Sequence, residues 1–147
     1  MSWNEAKSNI ARGYLWFCVV VFIGLGIAFL GWPDKLLPSV EVFVESPTGL
    51  ADVRADYGGC IFGLGIFMGW CALSTERTRT GLLCVGLTLC GYMSGRLLSL
   101  AVDGTPKQII YNLIVIELVG AIFAFALIPM APETPTLKSG LERVGEV

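Results

Sequence analysis

Four apolar stretches alternate with polar ones along this chain. The first is unbroken from Tyr14 to Trp32, YLWFCVVVFIGLGIAFLGW, and Pro33 closes it. A second, glycine-rich stretch runs from about Tyr57 to Leu73, a third from Gly81 to Val102 and a fourth from Ile109 to Met130. About 20 apolar residues in a helix cross the hydrocarbon core of a bilayer. The pattern therefore predicts an all-α protein: an integral membrane four-helix bundle forming one domain over 14–130, with spans at about 14–32, 57–73, 81–102 and 109–130. Polar text surrounds them: residues 1–13, a longer outer connection at 33–56, the short turns STERTRT and DGTPKQ, and a polar tail at 131–147. A cleaved signal peptide is the rival reading of the first stretch. Its apolar region would be shorter, and no small-residue cleavage site follows this one.

The outer connection carries Pro33, Pro38 and Pro47. Within it Val40–Val44, VEVFV, alternates and predicts a short strand-like or interfacial piece. Thr48 is the expected turn cap, with Ala51 or Asp52 leading into the second helix. That helix holds two G-x-x-x-G pairs, Gly59 with Gly63 and Gly65 with Gly69. Small residues let helix backbones approach in lipid, so packing inside the bundle is expected ahead of a dimer contact. The first and second stretches also echo one another, GLGIAFLGW against GLGIFMGW, but glycine-rich apolar text repeats easily and no repeat is inferred.

Charge changes the picture most where it interrupts the apolar text. Arg96 lies six residues before Val102, roughly 9 Å inside the third helix, and Glu117 eight residues after Ile109, roughly 12 Å inside the fourth. The turn between these helices is short, so they are antiparallel neighbours and the two side chains can meet. A charge near the bilayer centre costs about 2.5–3.5 kcal/mol on insertion scales and survives through a partner or a function. Tyr92, Arg96, Ser99 and Asp103 recur at helical spacing and form one stripe of the third helix, with Gly91 and Gly95 beside it. On the fourth, Gly120, Ala121 and Ala124 would admit a close neighbour.

Composition narrows the chemistry. The chain of 147 residues is 54% hydrophobic and 15% charged, with a net charge of −2, which gives no reason to expect a nucleic-acid partner. It contains no histidine, which removes His-based acid–base catalysis and the commonest metal ligand. Its five cysteines, at 18, 60, 71, 84 and 90, form no C-x-x-C pair, so a membrane thiol–disulfide relay is rejected and small buried packing residues are expected. No nucleophile–base pair or metal-ligand spacing is visible, so no cofactor and no enzymatic activity are expected.

Lys7, Arg12, Arg77, Arg79, Lys138 and Arg143 would lie on one side of four spans, and Lys35, Arg54 and Lys107 on the other. This excess predicts both termini in the cytoplasm. Tyr14, Trp16 and Trp70 would then mark the inner interface, and Trp32, Tyr57 and Tyr111 the outer one. The Arg96–Glu117 pair would fall in the outer half. A polar pocket open to the outer face is expected there, lined by Arg54, Asp56, Arg96, Ser99, Asp103, Asn112 and Glu117.

Three runs carry a resemblance: ADVRADYGGCIFGLGIFMGW, GYMSGRLLSLAVDG, and IVIELVGA with its acidic core. Over about residues 14–130 they resemble a family of small bacterial four-helix membrane proteins known as a domain of unknown function. The matching features are Arg54, Ala55, Tyr57, Gly58 and Gly59; Gly95, Arg96, Leu97 and Ser99; the Asp103–Gly104 turn; and Glu117. The resemblance implies a multi-pass protein of the bacterial inner (plasma) membrane and supplies no chemistry. A looser likeness, of fold alone, extends to DoxX-like proteins and a sterol-biosynthesis scaffold family.

Two readings of function follow. One is a non-enzymatic component that binds a lipid-like or amphiphilic molecule, or scaffolds a membrane complex, alone or as a homo-oligomer. The alternative is a small proton-coupled transporter or permease using Glu117. Small multidrug exporters also have four helices and one key glutamate, but theirs is in the first helix, and the first span here carries no charge.

Overall fold

The computed structural model describes residues 3–132. The expected polar tail falls almost wholly outside the described residues. Among them every regular element is helical. Helix α1 covers Trp3–Gly31, α2 Pro33–Leu36, α3 Pro47–Val53, α4 Ile61–Ala72, α5 Thr78–Val102 and α6 Gln108–Leu127. Single 3-10 turns follow α2 and α6 and precede α5, and a π-helical segment, Arg54–Cys60, joins α3 to α4.

Three helical stretches are long and apolar enough to cross a membrane: Glu5–Gly31, Thr75–Val102 and Gln108–Met130. Helix α4 alone has 12 residues, too few to cross. Its helical backbone continues without a break through the π segment and α3 back to Pro47.

The elements start and stop for local reasons. Helix α1 begins at Trp3, well before the apolar run at Tyr14. Residues 3–13 include good helix formers, Glu5 sits in the first turn where the helix dipole favours a negative charge, and Ala11 is fully buried. The second helical run begins earlier than its apolar text as well, and Ser46 rather than Thr48 caps it. The Ser46 hydroxyl accepts the Gly49 N–H at 3.0 Å, and Pro47 occupies the first helical position, where it loses no hydrogen bond. Val40–Val44 makes no strand. A 3-10 turn ends at Val40, Glu41 takes a left-handed conformation at φ 60, and the chain runs on irregularly to Ser46 with no neighbouring strand to pair with. Helix α5 stops where Asp103 caps it and Gly104 turns at φ 96, a conformation that favours glycine.

Two helix pairs build the fold: α1 lies along α4 and its π-helical lead, and α5 lies along α6. Glycines set the first crossing. A Cβ added at Gly26 would lie 2.7 Å from the Phe62 Cα, and one at Gly65 would lie 2.9 Å from the Ile23 nitrogen. The contact is reciprocal. Each glycine meets the residue three positions before the other, within the matching runs IGLGI at 23–27 and FGLGI at 62–66. The faint echo in the sequence is thus the crossing point of two antiparallel helices. Of the G-x-x-x-G pairs, Gly65 and Gly69 pack on α1, while Gly63 has open space around it.

The two pairs join through one core cluster. It contains Ala11, Leu15, Cys18, Val19 and Phe22 of α1; Ile61, Met68, Cys71 and Ala72 of α4; Leu82 and Val85 of α5; and Ala124, Leu127 and Ala131 at the chain's far end. Ala11 and Ala131, near the two ends of the described chain, both belong to it. Arg12 ties α1 to α4, its Nη2 donating to the last-turn carbonyl of Ala72 at 3.2 Å. The Tyr14 hydroxyl donates to the Gly120 carbonyl at 2.7 Å and links α1 to α6. Trp16, Trp32 and Trp70 are exposed.

Candidate functional site

Packing fades away from that core. The buried residues of α5 are Thr78, Gly81, Leu82, Val85 and Gly86, with none beyond Gly86. In α6 burial begins at Glu117. The half of the α5–α6 hairpin nearer its turn therefore stands with little packed against it, and there the two charges of these apolar helices meet. Arg96 Nη2 lies 3.2 Å from Glu117 Oε1. The Glu117 side chain is 8% exposed and that of Arg96 27%. The pairing is incomplete: Glu117 Oε2 and Arg96 Nε are buried without a hydrogen-bond partner. Tyr92 stands one turn before Arg96 on α5.

Beside the pair runs a groove of about 550 Å³, formed by the last turns of α5, the following turn and the first turn of α6. Arg96, Ser99 and Asp103 line it together with Tyr92, so the whole polar stripe of α5 faces one space. Glu117 stands behind Arg96 rather than in the wall. The other expected pocket residues lie elsewhere. Arg54 Nε donates to the Leu30 carbonyl at 3.1 Å, clamping the π segment to the end of α1. Asp56 is exposed on that segment. Asn112 Oδ1 accepts from Gln108 Nε2 at 3.2 Å, one turn away on α6. Sequence reasoning missed Thr105, Pro106 and Ile110 in the wall. Their signal was adjacency to Asp103: a turn that reverses the chain at Gly104 must fold over the end of its own helix.

An exposed ion pair, Lys107 Nζ to Glu41 Oε1 at 2.6 Å, bridges the turn beside the groove to the connection between α2 and α3. Among the described residues no cluster of His, Cys, Asp or Glu could hold a metal ion.

Three helices long and apolar enough to cross a membrane, two of them joined by a partly buried ion pair, suggest a helical membrane protein. The chain belongs to the family DUF4345, a domain of unknown function, whose profile matches residues 10–128. The match takes in the core, both charges and the groove. No curated protein and no solved structure matches the chain.

Proposed function

We propose that this chain is a small, non-enzymatic protein of the bacterial inner membrane, crossing four times with both termini in the cytoplasm. In this reading it holds a lipid-like or amphiphilic molecule in the α5–α6 groove, either for its own sake or as part of a membrane complex it scaffolds. The fourth crossing is the run from Pro47 to Ala72, whose helical backbone is unbroken. The observation that carries the reading is the placement of Arg96: it is braced from behind by Glu117 at 3.2 Å and lines a groove large enough for a small ligand. A plain structural ion pair needs no adjoining polar groove. Native mass spectrometry of the gently extracted protein, wild type beside Glu117→Gln, tests it. A bound lipid or small molecule that the variant loses is the expected result. Bare protein in both samples refutes it.

One observation favours a second reading, a small proton-coupled transporter. Glu117 Oε2 is buried without a partner, as a carboxylate that takes up and releases a proton would need. Proton flux into proteoliposomes that is abolished by Glu117→Gln, with folding retained, would favour it over simple binding.

A further inference from the structure

The groove carries two opposite charges on one helical stripe, with different surroundings. Arg96 lies deep, paired with Glu117 and still a quarter exposed into the groove. Asp103 lies at the rim, exposed, and its carboxylate has no hydrogen bond or ion pair among the described residues. Seven residues separate them, about 10 Å along the helix. The hydroxyl-bearing Tyr92, Ser99 and Thr105 also line the space. The rest of the wall is apolar or bare: Pro106, Ile110, and the faces of Gly91 and Gly95, around which nothing lies within 4 Å of where a Cβ would stand.

We infer that the groove selects an amphiphile with a zwitterionic head, its anionic group towards Arg96 and a primary ammonium towards Asp103. The inference rests on the reading above that an amphiphile occupies this groove. A purely anionic head would satisfy Arg96 and face repulsion from Asp103. A neutral head would leave both charges without a ligand partner. A phosphoethanolamine head meets both, deep anion and outer cation, in the order the helix presents them. Its ammonium hydrogens also suit the hydroxyls, which a trimethylated amine could not serve. The glycine faces leave room for an acyl chain alongside α5.

The test uses the delipidated full-length protein in detergent, offered phosphatidylethanolamine, phosphatidylglycerol and diacylglycerol of matched chains at equal concentration, with bound lipid counted by native mass spectrometry. Wild type should retain phosphatidylethanolamine over phosphatidylglycerol by about fivefold, the worth of a partly exposed ion pair. Asp103→Asn should bring that ratio close to one. This residue is exposed at a helix end and its side chain bonds to none of the described residues, so the variant folds. Equal or better retention of phosphatidylglycerol by wild type overturns the inference and leaves amphiphile binding standing. An unchanged ratio in Asp103→Asn also overturns it. Retention of none of the three lipids overturns the inference together with the reading it rests on.

Discussion

Removing either partner of the Arg96–Glu117 pair strands the other, but the two losses differ. Breaking a fully buried ion pair from one side costs about 3–5 kcal/mol, because an uncompensated charge remains in a medium of low polarity. After Arg96→Gln the stranded group is Glu117, whose side chain is 8% exposed and whose Oε2 already lacks a partner. That sits at the buried limit, about 3 kcal/mol. After Glu117→Gln the stranded group is Arg96, 27% exposed along a groove that admits water. Solvent screening there reduces the cost to about half, roughly 1.5 kcal/mol. For a chain of this size each kcal/mol moves the midpoint by about 2–4 °C, so Tm should fall by roughly 9 °C for Arg96→Gln and roughly 4 °C for Glu117→Gln. The double variant carries two amides of similar shape that can hydrogen-bond to each other. It should return to within about 1 kcal/mol of wild type, since exchanging both partners of a buried pair is often near neutral.

Thermal unfolding of the four proteins in one detergent, followed by circular dichroism and by fluorescence-detected size exclusion, completes the cycle. Glu117→Gln costing as much as Arg96→Gln would refute the exposure argument. A double variant whose loss equals the sum of the two single losses would show that the two charges are not coupled at all.

Two further outcomes separate the packed half of the molecule from the open half. Gly65→Ala places a Cβ 2.9 Å from the Ile23 backbone and should cost about 1–3 kcal/mol, whereas Gly63→Ala meets nothing within 4 Å and should be neutral or gain up to about 1 kcal/mol in helix propensity; chemical or thermal unfolding of both ranks them. Glu41→Gln should cost less than about 1 kcal/mol, because its pair with Lys107 is more than half exposed on both sides, and the difference from wild type should vanish in molar salt when the two Tm values are compared.

The parts of the fold written in apolar text were legible, and the parts written in single polar atoms were not. Helix α5 ends at Val102 because Asp103 and Gly104 follow, and any reader of the sequence sees that stop. The start of the second helical run was misplaced because the cap is decided by one hydroxyl. Ser46 and Thr48 are equivalent as letters, and only the position of Pro47 between them favours Ser46. The tie that Tyr14 makes from α1 to α6 was not legible either, because it depends on a carbonyl 106 residues away. The strand-like alternation at Val40–Val44 failed for want of a partner strand, which no local pattern can supply. At the site, the stripe Tyr92, Arg96, Ser99 and Asp103 was readable because one helix carries it. Arg54, Asp56 and Asn112 were grouped with it by depth alone, and depth says nothing about which side of a helix faces the groove.

The position of Glu117 explains why the molecule can afford charges here. It is the first buried residue of α6, at the edge where the core stops. One side of it is the dense cluster that takes in Ala124, Leu127 and Ala131, closed by the glycine crossing of α1 and α4. The other is the sparsely packed hairpin end that holds the groove. A charge placed deeper would lie among fully buried apolar side chains with nothing to reach. One placed further out would be solvated and would brace nothing. At the boundary Glu117 can fix Arg96 through one oxygen, so the guanidinium is held while part of the side chain stays exposed. Stability is thereby concentrated in one half of the bundle and the polar groove in the other. Substitutions at Ser99, Asp103 or Thr105 should accordingly change what the groove holds at little expense to folding, while those at Arg96 and Glu117 change both.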